Sequence, residues 1–124
     1  MMVGVIWVIQ LVHYPSFHFV DNLRYSNFQS FHMRSISYVV IPLMLTEVLT
    51  LILLVYTINR MDIALILSAI MLFAVWVITA VFFSGAHQKL MLGYDKSVVD
   101  GLIKMNWLRT LLWTLRLILV ASCL

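Results

Sequence analysis

From residue 63 to residue 86 the chain carries no ionisable side chain. A helix-length stretch built this way from Ile, Leu, Val, Phe, Ala and Met has no polar face to turn to water, so it fits a bilayer, whose hydrocarbon core of roughly 30 Å takes about 20 residues to cross. It is not alone. Residues 36–58 form a second apolar run, broken at its centre only by Glu47; residues 3–20 and 101–122 form two more. Only 10% of the residues are charged and 64% are hydrophobic, whereas about a quarter of a soluble domain is charged. The expectation is an all-α polytopic membrane protein: one domain over residues 1–124, folded as an antiparallel bundle of four transmembrane helices.

The polar punctuation refines that picture. Residues 21–35 mix Leu23, Tyr25, Phe28, Phe31 and Met33 with Arg24, Asn27, His32 and Arg34, a composition suited to an additional interfacial helix between spans one and two. The short turn Asn59-Arg60-Met61-Asp62 makes spans two and three antiparallel neighbours. Pro15 removes a backbone donor and frees the carbonyl of Leu11, so a kink is expected in span one. The third helix, with Trp76, Thr79, Phe83 and His87 on one face, should continue through Leu90 and stop at Gly93. Ser97 with Asp100 three residues on resembles a capping box, which starts the last helix near Val98.

Met1 to Val12 lacks a basic leader and a small-residue cleavage site, so the first span is expected to be retained. Arg24, Arg34, Lys89, Lys96 and Lys104 fall on one side of the bundle; Arg60, Arg116 and the terminal amine fall on the other. That bias leads to the expectation that both termini face outward. The net charge of +3 is dispersed, so no nucleic-acid partner is expected. The single cysteine, Cys123, excludes an internal disulfide or cysteine metal site. With one glutamate there is no carboxylate set for a di-iron centre, and no Gly-x-Ser-x-Gly elbow exists. No metal is expected.

The chemistry-bearing residues are few. Asn106, Arg109, Trp113 and Arg116 recur at helical spacing as one stripe, and a charge at membrane depth costs roughly 2.5–3.5 kcal/mol, so it faces a partner or a cavity. Laying the spans antiparallel gathers His13, Glu47, His87, Asn106 and Arg109 in one half of the bundle, with Arg116 snorkelling on the other side. Three readings stay open. Glu47 and Arg109 could form an ion pair, with Asn106 and His13 completing its hydrogen bonds, that only fixes register. His13, His32 and His87 could hold a b-type haem. Or the cluster could serve a small lipophilic molecule, quinone-like or polycyclic, with a histidine as base or donor and Arg109 and Asn106 stabilising an oxyanion. The expected partners are lipids, such a molecule, and other membrane subunits or further copies of the chain. A non-catalytic role in a larger membrane complex is the alternative to an oxidoreductase.

Four blocks carry a resemblance: Gln10-Leu11-Val12-His13-Tyr14-Pro15-Ser16-Phe17, Pro42 with Glu47, His87-Gln88-Lys89-Leu90-Met91-Leu92-Gly93, and Asn106-Trp107-Leu108-Arg109-Thr110 with Trp113 and Arg116. Together the chain resembles a group of small bacterial four-helix integral membrane proteins. The last block is also similar to the Asn-x-x-Arg final helix of anthrone oxygenase-like membrane proteins, which implies cofactor-independent oxidation of polycyclic aromatics. That resemblance implies His87, Asn106 and Arg109 as site residues; His13 and Glu47 have no clear counterpart in it.

Overall fold

Each apolar run becomes a helix, because a backbone surrounded by apolar side chains must satisfy its own donors and acceptors. The computed structural model of the chain describes residues 1–58 and 63–122. Among them are four helices and no strand: α1 (Met2–Phe19), α2 (Tyr25–Ile58), α3 (Ile63–Met91) and α4 (Lys96–Ser122). The expected turn at 59–62 and Cys123 lie outside the described residues. α1, the segment Asn22–Thr57 and α3 are long and apolar enough to cross a membrane. α4 has comparable length but carries Lys104, Asn106, Arg109 and Arg116.

Facing residues give the packing. Trp7 meets Thr114, Gln10 meets Asn106 and His18 meets Asp100, so α1 and α4 run antiparallel. His13 faces His32 and Phe17 faces Phe28, so α1 and α2 do too. Phe17, Tyr25, Leu90, Val99, Leu102 and Trp113 are almost completely buried along the central seam. α2 is the outlier: 6% of its span-length window is buried, against 33% for α1 and 22% for α3.

Two expectations about local structure are corrected. No separate interfacial helix stands between spans one and two: after a single 3₁₀ turn, Asn22–Arg24, α2 runs unbroken from Tyr25. Nothing between Tyr25 and Ile41 is glycine or proline, and Tyr25, Gln29 and His32 recur on one inward face, all buried. Likewise, Ser97 and Asp100 do not form a capping box. Asp95 caps α4, its Oδ1 accepting from the amides of Ser97 and Val98 at 2.8 and 3.3 Å and from the Ser97 hydroxyl at 2.6 Å. The donors of Ser97, then Val98, hold the Asp95 carboxyl below its ordinary pKa. Asp100 is thereby free to meet His18 at 3.1 Å.

Pro15 leaves its mark as a widened turn. The residues before it, Ile9–His13, are π-helical and the helix resumes at Tyr14–Ser16. A second π turn, Thr79–Phe83, interrupts α3 without any proline. Such turns insert an extra residue and re-aim the side chains around it. Gly93, at φ 149°, ends the α3 region as expected.

Candidate functional site

The α4 stripe faces inward over its whole length: Asn106, Arg109, Trp113 and Arg116 are all buried. Its lower half forms a polar knot. Asn106 donates from Nδ2 to Gln10 Oε1 at 2.8 Å, while its Oδ1 accepts from Nη2 and Nε of Arg109 at 2.7 and 3.1 Å. Arg109 also donates from Nη1 to Thr79 Oγ1 at 3.2 Å, and its guanidinium lies 3.6 Å over the Phe83 ring. Thr79 and Phe83 bracket the second π turn, so the widened turn supplies both a hydroxyl and a ring to the same cation.

Arg109 is 5% exposed, and no carboxylate pairs with it among the described residues. Glu47 does not reach it. The carboxylate is instead ion-paired with Arg116, two turns further along α4. The expected Glu47–Arg109 pair is thus corrected by register: α2 and α4 both run antiparallel to α1, and because α2 starts already at Tyr25, Glu47 falls in its C-terminal half, level with the C-terminal half of α4. Glu47 leaves the cluster, and Arg116 does not snorkel outward.

The histidines meet. His13 Nε2 lies 2.9 Å from His32 Nδ1, and the His32 and His87 rings are 5.5 Å apart. Gln29 donates from Nε2 to His87 Nδ1 at 2.8 Å, which leaves the His87 proton on Nε2, directed at the Tyr14 hydroxyl through a long contact of 3.5 Å. Tyr14 is then free to donate its own proton elsewhere. At 2.9 Å the His13 and His32 nitrogens are at hydrogen-bond distance. A haem between two of these rings would have to part them. Among the described residues no three His, Cys, Asp or Glu side chains are arranged to hold a metal ion.

Beside the knot lies a cavity of about 400 Å³ between α2 and α3, with Arg109, His87 and Tyr14 at its polar end and Trp76, Phe83, Met33, Met44 and Ile36 among its apolar walls. The indole N–H of Trp76 is buried without a partner. Ile41, Ala80 and Ser84 line the cavity and are exposed, so its mouth opens on the outer surface between the two helices.

The structure therefore brings His87 and Arg109 to one cavity, with Asn106 behind Arg109. His13 and His32 stand one step back, His13 lining a separate apolar groove with Gly4 and Ile36. Sequence reasoning missed Tyr14 and Gln29 as site residues, and did not bring Thr79 to Arg109. Tyr14 adjoins Pro15 and could have been found from the kink; Gln29 lay in a segment read as interfacial, and the π turn that presents Thr79 has no sequence signal. No known protein family, curated protein or solved structure matches the chain.

Proposed function

We propose that the chain is a four-span integral membrane protein of a bacterial inner membrane, both termini outward, whose α2–α3 cavity binds a lipophilic molecule through an acidic oxygen. α4, at 27 residues, is about 40 Å long, enough to cross, and its two buried arginines find polar partners inside the bundle: Arg116 in Glu47, Arg109 in Asn106 and Thr79.

The observation that carries the reading is the buried guanidinium of Arg109, without a carboxylate partner among the described residues, on the wall of a largely apolar cavity. A buried charge is costly unless a counter-charge completes it, and a phenolate or enolate oxygen supplies one. Tyr14, held by His87, adds a second donor to that oxygen, an arrangement of the oxyanion-hole type. Phe83 and Trp76 suit a flat ring system. Stabilising such an anion is the first requirement of a cofactor-independent oxidation of a phenolic lipophile by dioxygen, the activity that the anthrone oxygenase-like resemblance implies. The mouth between Ile41, Ala80 and Ser84 lets the molecule enter from the bilayer.

The test is binding of a naphthol to the protein in lipid nanodiscs, followed by its fluorescence. Saturable binding by the native chain, lost in Arg109→Leu with helix content retained, supports the site; equal binding by the variant overturns it. A Soret band in the purified protein, lost on His13→Ala or His87→Ala, would assign the histidines to haem instead.

One observation favours a second reading, a non-catalytic subunit of a larger complex: the exposed apolar surface of α2, including Tyr38, Leu45, Leu49, Ile52 and Tyr56. A mass in nanodiscs above that of one copy, with no naphthol bound, would support it.

A further inference from the structure

A second, smaller cavity of about 180 Å³ lies at the other end of the bundle, with Glu47, Thr50, Leu54, Trp113, Arg116 and Val120 among its walls. Two side chains on it are more than nine-tenths buried and carry N–H groups without partners: the indole Nε1 of Trp113 and Nε of Arg116. Buried donors in native proteins are satisfied with few exceptions, and the exceptions ask for an explanation. The same wall holds an acceptor. Glu47 engages Arg116 through Oε2, while Oε1 makes no hydrogen bond among the described residues. Thr50 is spent, donating to the Glu47 carbonyl at 3.1 Å.

Met1 also borders this cavity but is 88% exposed, so its charge stays in contact with solvent, whereas the buried ion pair is neutral as a unit and sorts ligands by charge. An anionic head would be set against Glu47, and a cationic head against Arg116, in a setting where neither is well screened. A neutral head avoids both penalties. To satisfy all the open groups it must accept from an N–H and donate to a carboxylate oxygen, which is what a hydroxyl does. The remaining walls, Leu51, Leu54, Leu117 and Val120, are apolar and suit an acyl or alkyl chain. Arg116 lies about 9 Å along the axis from Ser122, so the head would be held just inside the end of the bundle.

We propose that this cavity binds the hydroxyl head of a neutral single-chain amphiphile, with Trp113 and Arg116 donating to the hydroxyl oxygen and the hydroxyl donating to Glu47. The chemistry is shared by a long-chain alcohol and by an acylglycerol derived from membrane lipid. It is independent of the naphthol site, which lies on the far side of the α4 stripe's midpoint.

The test follows the indole N–H resonance of Trp113 in the proton–nitrogen correlation spectrum of the protein in phosphatidylcholine nanodiscs, assigned by its loss in Trp113→Phe. Oleyl alcohol and monooleoylglycerol are each expected to shift it saturably, and whichever saturates at the lower mole fraction names the source. Methyl oleate, which cannot donate, and oleate, which is anionic, are expected to leave it in place. Leu54→Trp fills the cavity without touching the ion pair and should abolish the shift. No shift with either hydroxyl probe, an equal shift with methyl oleate, or a shift that survives Leu54→Trp would overturn the assignment, the first of these leaving water as the occupant.

Discussion

Arg109 and Arg116 stand two turns apart on the same buried face of α4, yet the fold treats them differently. Arg116 meets a carboxylate, Glu47, and its charge is closed within the protein. Arg109 meets an amide, a hydroxyl and an aromatic face, so its hydrogen bonds are partly satisfied while its charge is left open beside the larger cavity. The contrast teaches that an arginine in an apolar helix is not one kind of evidence. What decides its role is whether a charge or only a dipole answers it.

The largest expected effect is at the closed pair. Arg116→Leu strands Glu47 and should cost about 3 kcal/mol in reversible unfolding from mixed micelles, whereas Arg116→Leu with Glu47→Leu should return to within about 1 kcal/mol of the native chain. An inexpensive single variant would break the comparison, because Arg116 would then also be an open charge. Next comes the knot. Asn106→Leu removes the acceptor of two Arg109 N–H groups and a donor to Gln10, and about 2 kcal/mol of stability should go with it; a cost well below that would mean that Arg109 is held by Thr79 and Phe83 alone. Tyr14→Phe should leave folding almost intact and weaken naphthol binding by about 1 kcal/mol, roughly fivefold. Unchanged affinity would place the ligand oxygen on Arg109 only.

The smallest effect is at the N-terminal cap of α4. Because the Asp95 carboxyl is held below its ordinary value of 3.8, its contribution to starting α4 is present above the unfolded-state pKa and is lost as the pH falls through the folded one. The protection factors of the Ser97 and Val98 amides, taken against the intrinsic exchange rate at each pH, should fall on acidification in the native chain. In Asp95→Asn that acid step should disappear.

Much of the fold was legible because apolar length and polar punctuation determine it. The inward stripe of Asn106, Arg109, Trp113 and Arg116 was read from spacing alone, as was the shared face of Trp76, Thr79, Phe83 and His87, all of which line the cavity. Partner choice was not legible. Glu47 could be placed near the centre of the apolar run 36–58, but whether it met Arg109 or Arg116 depended on a vertical offset between helices that no local pattern encodes. The extension of α2 to Tyr25 was hidden for a different reason: its inward row, Tyr25, Gln29 and His32, is polar or amphipathic, and polarity at a bundle's end looks the same whether it faces headgroups or a buried histidine. The π turn at Thr79–Phe83 has no proline to announce it, so the residues that hold Arg109 were visible while their convergence was not.

The most direct measurement is the absorption of a naphthol bound to the protein in nanodiscs as the pH is raised, compared between the native chain, Arg109→Leu and the Glu47→Leu, Arg116→Leu double variant. If Arg109 is an open charge that takes an oxyanion, the bound naphtholate band should appear at lower pH than in empty nanodiscs for the native chain and the double variant, and revert in Arg109→Leu, by about one unit for each 1.36 kcal/mol of preference for the charged form. A titration that is identical in all three proteins, or that moves with the Glu47–Arg116 pair instead, would contradict it.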